Sequence, residues 1–128
     1  MNKRLTLIVV AISLATVVSG FTQMVAPSFV LRFVGADITS TSAHFFAIVG
    51  MFMVLFGGLM LHTVYSVETS RVAILWAAFQ KFGASVAVGI GIVNGIFAVV
   101  AGAVAGFDLL SGILFLMYWQ AVKNKKTA

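Results

Sequence analysis

Any chemistry in this chain must come from very few side chains. Its 128 residues include two histidines, three carboxylates and no cysteine. Without cysteine there are no disulfides, no thiol redox chemistry and no thiolate-bound metal or cluster. His44 and His62 lie 18 positions apart within one apolar stretch. On a helix that separation is roughly 27 Å, so the two cannot share a metal ion or a haem, and few carboxylates are present to complete either site. No phosphate-binding glycine loop, Ser–His–Asp arrangement or two-metal spacing is present in the sequence.

The other polar residues sort into two groups once the chain is threaded through a membrane. Gln23, Arg32, Asp37, His44, Asn94 and Asp108 belong to one side, and His62, Tyr65, Glu68, Arg71, Gln80, Lys81 and Gln120 to the other. A carboxylate in or near a bilayer usually faces the bundle interior and finds a partner. Asp108 is expected to cap the fourth span, since an Asp at a helix start accepts backbone N–H bonds and suits the positive helix end. The alternatives are an ion pair with Arg32 and a functional carboxylate. In that last case Asp108, His44 and Arg32 form the polar mouth of a cofactor site. Lys81 is expected to snorkel along its stem toward the side that holds Arg71; a buried pair with Glu68, or contact with an anionic lipid headgroup, is the alternative.

The elements that position these groups follow from composition. The chain is 62% hydrophobic and 9% charged, with a mean hydropathy of +1.15, whereas soluble domains carry about 25% charged residues. The fold class read from this is all-α: a single integral membrane domain over 1–128, an up-and-down bundle of four transmembrane helices. The spans fall at about 5–26, 44–65, 74–100 and 105–122, each compared with the roughly 20 apolar residues a bilayer core demands. The first could be a cleaved signal peptide with Val18 and Gly20 before the cut, but its apolar run continues to Ala26, which favours an uncleaved span. Residues 27–36 read as a short interfacial amphipathic segment opening at Pro27, with Phe29, Val30, Phe33 and Val34 on one side and Ser28 and Arg32 on the other. An irregular loop with two buried phenylalanines is the alternative.

Small residues mark where helices can touch, because without competing water a bilayer helix associates where its backbone is approachable. Gly83, Ala87, Gly91 and Gly95 recur every fourth position and are expected to be the packing spine. Ala11, Ala15 and Ser19 repeat the pattern in the first span. Gly50 and Gly57 belong to a seam of alternating threes and fours in the second. The phenylalanines and methionines there read as lipid contacts or core filling rather than a cofactor box. The net charge of +5 is not a nucleic-acid footprint, because the basic residues sit at the ends of apolar runs. Lys3, Arg4, Arg71, Lys123, Lys125 and Lys126 fall on one side, with Lys81 near it, and Arg32 alone on the other. The positive-inside rule then places both termini in the cytoplasm. So polarised a chain is not a dual-topology channel, and its first span lacks the mid-membrane Glu of a small proton-coupled exporter.

The layout resembles that of small bacterial DoxX-like four-helix membrane proteins. The points of likeness are a first span ending at Pro27, an outer amphipathic turn, a glycine-bearing second span (FFAIVGMFMVLFGG, Phe45 to Gly58), a Lys-bearing third span and Asp108 opening the fourth. The resemblance implies the inner membrane of a bacterium and, for some relatives, service as membrane subunits of quinone-linked oxidoreductases. Where such proteins often open the second span with a basic residue, this chain has His44 nearby and no Arg, so no catalytic residue is carried over. The leading expectation is a non-catalytic accessory or assembly subunit of a larger membrane complex, its partners being the lipid bilayer and either other membrane subunits or further copies of itself. The second is a binder of a lipophilic cofactor, a quinone or pigment, between helices. The third, a small pore or transporter, needs polar residues at the bundle midplane, where none are expected; Gln80, Lys81 and Asn94 facing one cavity would revive it.

Overall fold

Among the described residues, four helical stretches are long and apolar enough to cross a membrane. In a computed structural model, which describes residues 3–127 and their side chains as far as 122, the elements run α1 (Lys3–Val25), α2 (Pro27–Phe33), α3 (Ser40–Tyr65), α4 (Arg71–Val93), a 3₁₀ turn (Val99–Ala101) and α5 (Gly102–Thr127). The architecture is an all-α bundle of four membrane-spanning helices with one short helix after the first. The side chains of the basic run at 123–126 lie outside the described residues.

Local chemistry sets the helix ends. The run Asp37 to Ser42 starts α3 through a capping box: Thr39 Oγ1 accepts from Ser42 N at 2.9 Å, and Ser42 Oγ accepts from Thr39 N at 2.9 Å. Ser70 Oγ accepts from Ala73 N at the start of α4, and Ser70 N donates to Thr63 Oγ1 at 2.6 Å, locking the α3–α4 turn. Among the described residues, Gly35 and Gly95 have positive φ, at 73° and 72°. Each ends a helix in the left-handed conformation that glycine adopts without penalty. Ala36 N donates to Leu31 O and Ile96 N to Gly91 O, the six-to-one bonds of a Schellman stop.

This corrects two boundaries. The third span does not run to residue 100: Gly95 is its stop signal, and the helix ends at Val93. The fourth begins at Gly102, ahead of Asp108. The short segment after the first span is helical from Pro27, but its inward residues are Leu31 and Val34, while Phe29 and Phe33 face outward beside Arg32.

The helices associate as two antiparallel pairs, α1 with α3 and α4 with α5, joined more sparsely along α1–α5 and α3–α4. The tightest approach is between α1 and α3. A Cβ on Gly20 would lie 2.5 Å from Gly50 O, one on Gly50 would lie 2.5 Å from Gly20 O, and one on Gly57 would meet Val17 Cγ2 at 2.6 Å. Gly50 thus faces Gly20 of α1, and Gly57 faces Ser13 and Val17. Ala11, Ala15 and Ser19 are exposed on the other side of α1. The expected spine in α4 makes no close contact within the chain at Gly83 or Gly95. Gly83 and Ala87 are exposed, nothing lies within 4 Å of a Cβ on Gly83 or Gly95, and the buried Gly91 is covered by Phe97 of its own chain.

The apolar core lies toward the end of the bundle that carries both termini. Val9 and Ile12 of α1, Met60 of α3, Ile74 of α4, and Phe115 and Tyr118 of α5 pack together there. At the opposite end, Ala98 N donates to Val34 O at 2.8 Å, tying the α4–α5 connection to the end of α2.

Candidate functional site

The middle of the bundle holds an ion pair. Lys81 lies ten residues along α4 from Arg71, about 15 Å at the helical rise, near the helix centre. It is 3% exposed. Its Nζ stands 3.5 Å from Asp108 Oδ1 on α5 and donates to Thr16 Oγ1 on α1 at 2.6 Å. The Thr16 hydroxyl in turn donates to Ile12 O at 2.9 Å, so it accepts and donates at once. The Phe107 ring lies 5.4 Å from the ammonium, within reach of a cation–π contact. Lys81 thus binds both its own helix pair and the other one.

Helical spacing explains why these groups meet. Ile74, Ala77, Ala78 and Lys81 share the buried stripe of α4. Leu5, Val9, Ile12, Thr16, Gly20 and Gln23 follow threes and fours down α1. Asp108, Ser111, Phe115, Tyr118 and Val122 do the same on α5. In hydrocarbon a polar side chain turns toward the bundle, where other polar groups can satisfy it.

The surroundings are not fully satisfied. Among the described residues, Ser111 Oγ and Gln80 Oε1 are buried without a hydrogen-bond partner, and Ser13 Oγ bonds back to Val9 O at 2.7 Å. A crevice bordered by Ser13, Thr16, Gln80, Lys81 and apolar residues of α3 and α5 runs beside the pair but is too narrow for a water molecule. Nearer the termini, the Arg71 guanidinium lies 4.1 Å over the Trp119 ring, with Nε and Nη2 also buried and unpartnered.

Several sequence expectations change here. Asp108 is not a helix cap, because α5 starts at Gly102 and the carboxylate is inside it. Its partner is Lys81, not Arg32. Lys81 does not snorkel; its stem stays among the helices and its ammonium meets Thr16 and Asp108. The midplane holds polar residues after all, yet Asn94 is exposed at the end of α4 and does not border the crevice that Gln80 and Lys81 line. The proposed mouth of Asp108, His44 and Arg32 is not assembled: His44 and Arg32 are exposed, while Asp108 is buried with Lys81. Sequence reasoning overlooked Thr16. Its signal was the polar row Ser13, Thr16, Gly20 and Gln23 along one face of α1.

A second feature lies at the end of the bundle away from the termini. A half-open cavity of about 500 Å³ is bounded by the end of α2, the start of α3 and the α4–α5 connection. Leu31, Phe45, Phe46 and Phe97 form much of its apolar wall, and Asp37 and Ser42 are on its rim. Ligand sites commonly measure about 300–1,000 Å³ and combine such walls with a few polar groups.

Fold and site together define a class: a four-span helical membrane protein with a buried Lys–Asp pair at mid-depth and an aromatic-walled cavity at one end. No protein-family model matches the chain, and no curated protein or solved structure matches it.

Proposed function

We propose that the protein is a non-catalytic accessory or assembly subunit of a larger membrane complex. The observation that carries this reading is the direction of its small residues. Ala11, Ala15 and Ser19 on α1, and Gly83 and Ala87 on α4, face away from the chain's own core. Each row is a groove on the lipid side where a helix from another chain can approach closely. The charges of Lys81 and Asp108 are opposed to each other within the fold, which fits a role in holding helices together. The layout shared with DoxX-like proteins supports the same reading, with both termini in the cytoplasm and the bacterial inner membrane as the location.

Enlarging the outward rows tests it. Ala15→Leu and Gly83→Leu should leave the chain inserted and folded, as judged by detergent-resistant secondary structure. Recovery of co-purifying subunits from native membranes should fall by about tenfold, the effect of a loss near 1.4 kcal/mol. Purification of the unaltered protein from native membranes as a lone monomer would defeat the proposal.

A second reading is supported by the outer cavity: a binder of a lipophilic molecule between helices. Solvent extraction and absorbance of the natively purified protein test it. A ligand-free preparation that takes up no amphiphile would remove it.

A further inference from the structure

We propose that the outer cavity is a site for a lipophilic amine, a protonated amino group on an alkyl or aromatic body. This rests on the second reading above and specifies its ligand. Of the residues that border the cavity, Asp37 is the one that carries a charge, and it is exposed. The cations nearest in sequence, Arg32 and His44, are not on that wall. The Ser42 hydroxyl is engaged in the fold, donating to Asp37 O at 2.9 Å and accepting from Thr39 N at 2.9 Å.

Five of the backbone N–H groups around the cavity are engaged as well. The N–H groups of Gly35, Ala36, Gly95, Ile96 and Phe97 all donate to carbonyls of the chain itself. A ligand whose polar atoms only accept hydrogen bonds, such as a quinone or the carbonyl of a pigment, therefore meets a carboxylate and finds these donors taken. An ammonium group has the complementary chemistry. It can donate to the Asp37 carboxylate in a charge-assisted bond, while the bordering Phe45, Phe46 and Phe97 give apolar cover to the rest of the molecule. The cavity's frame is fixed by the two glycine stops and by the Ala98 N to Val34 O bond at 2.8 Å.

The test uses the full chain in phosphatidylcholine nanodiscs, with empty nanodiscs subtracted, and measures saturable binding of radiolabelled dodecylamine, dodecanol and a decyl-substituted benzoquinone. Dodecylamine should bind saturably and more tightly than the other two. Asp37→Asn should weaken it by about tenfold, and Val49→Trp, which fills the wall, should do the same. Equal binding of dodecanol or the quinone, or no change in Asp37→Asn, overturns the ammonium assignment while leaving the cavity as a ligand site. Unchanged dodecylamine binding in Val49→Trp overturns the cavity itself.

Discussion

Lys81→Met is expected to destabilise the bundle by about 3–5 kcal/mol, the usual result of removing one partner of a buried ion pair. The loss comes mainly from what remains. Asp108 is 9% exposed, so its carboxylate would be left at mid-depth without a cation. Removing both charges is a different experiment. Lys81→Met combined with Asp108→Leu leaves no orphaned charge and should recover most of the loss, since well-packed apolar replacements of buried pairs are often neutral or better. Thr16→Val should be milder, about 1–2 kcal/mol, because it removes one hydrogen bond to the ammonium and keeps the pair. Denaturant titrations in bicelles, followed through Trp76 and Trp119 fluorescence, compare the three variants with the unaltered protein. Equal stability of Lys81→Met and the unaltered protein would place the lysine outside the bundle.

The second large effect concerns α1 and α3. Gly50→Ala adds one methyl group that would lie 2.5 Å from Gly20 O and 2.7 Å from Gln23 Cβ. The obstacle is partly backbone, so no side-chain rotation relieves it and the two helices must separate. Overpacking of this kind costs about 1–3 kcal/mol, and the separation also stretches the bond from Gln23 Nε2 to Phe46 O, 3.2 Å in the native fold. Gly83→Ala is the control: nothing lies within 4 Å of its added methyl. By helix propensity it should be neutral or stabilise by up to about 1 kcal/mol. The same bicelle unfolding assay compares them. If the two substitutions behaved alike, the assignment of Gly50 rather than Gly83 to the closest contact would fail.

The contrast between those glycines shows what a sequence of this kind reveals. The four spans were legible because hydrocarbon demands long apolar helices, and the DITSTS and SVETSR turns because hydroxyl side chains cap helix starts. The small-residue rows were legible as faces but not as contacts. A groove in a bilayer has the same composition whether it meets a helix of its own chain, another chain or lipid. Gly95 illustrates the ambiguity: it continued the every-fourth pattern of α4, yet its φ of 72° makes it the residue that stops the helix.

The ion pair was hidden by a similar degeneracy. A lysine ten residues into a span has a stem long enough to leave the hydrocarbon, and assigning Lys81 and Asp108 to opposite sides followed from assuming that it would. Two clues pointed the other way. Lys81 continues the buried stripe of Ile74, Ala77 and Ala78, and the buried face of α1 carries Ser13, Thr16 and Gln23. The 3₁₀ turn at Val99–Ala101 also shifts the start of α5 ahead of Asp108, turning an expected cap into an interior carboxylate. The aromatic cavity draws its wall from α2, α3 and the α4–α5 connection, elements far apart in the chain, so no local pattern announced it.

The account depends most on where the Lys81 ammonium resides. Solid-state NMR of the full chain in lipid bilayers, with ¹⁵N-labelled lysine and ¹³C-labelled aspartate, measures this through the dipolar coupling of Lys81 Nζ to the Asp108 carboxyl carbon. A nitrogen–oxygen separation of 3.5 Å predicts a strong coupling that disappears in Asp108→Asn, together with slow exchange of the amine protons with bulk water. An uncoupled Lys81 amine in rapid exchange with water would mean that Lys81 and Asp108 do not pair inside the bundle.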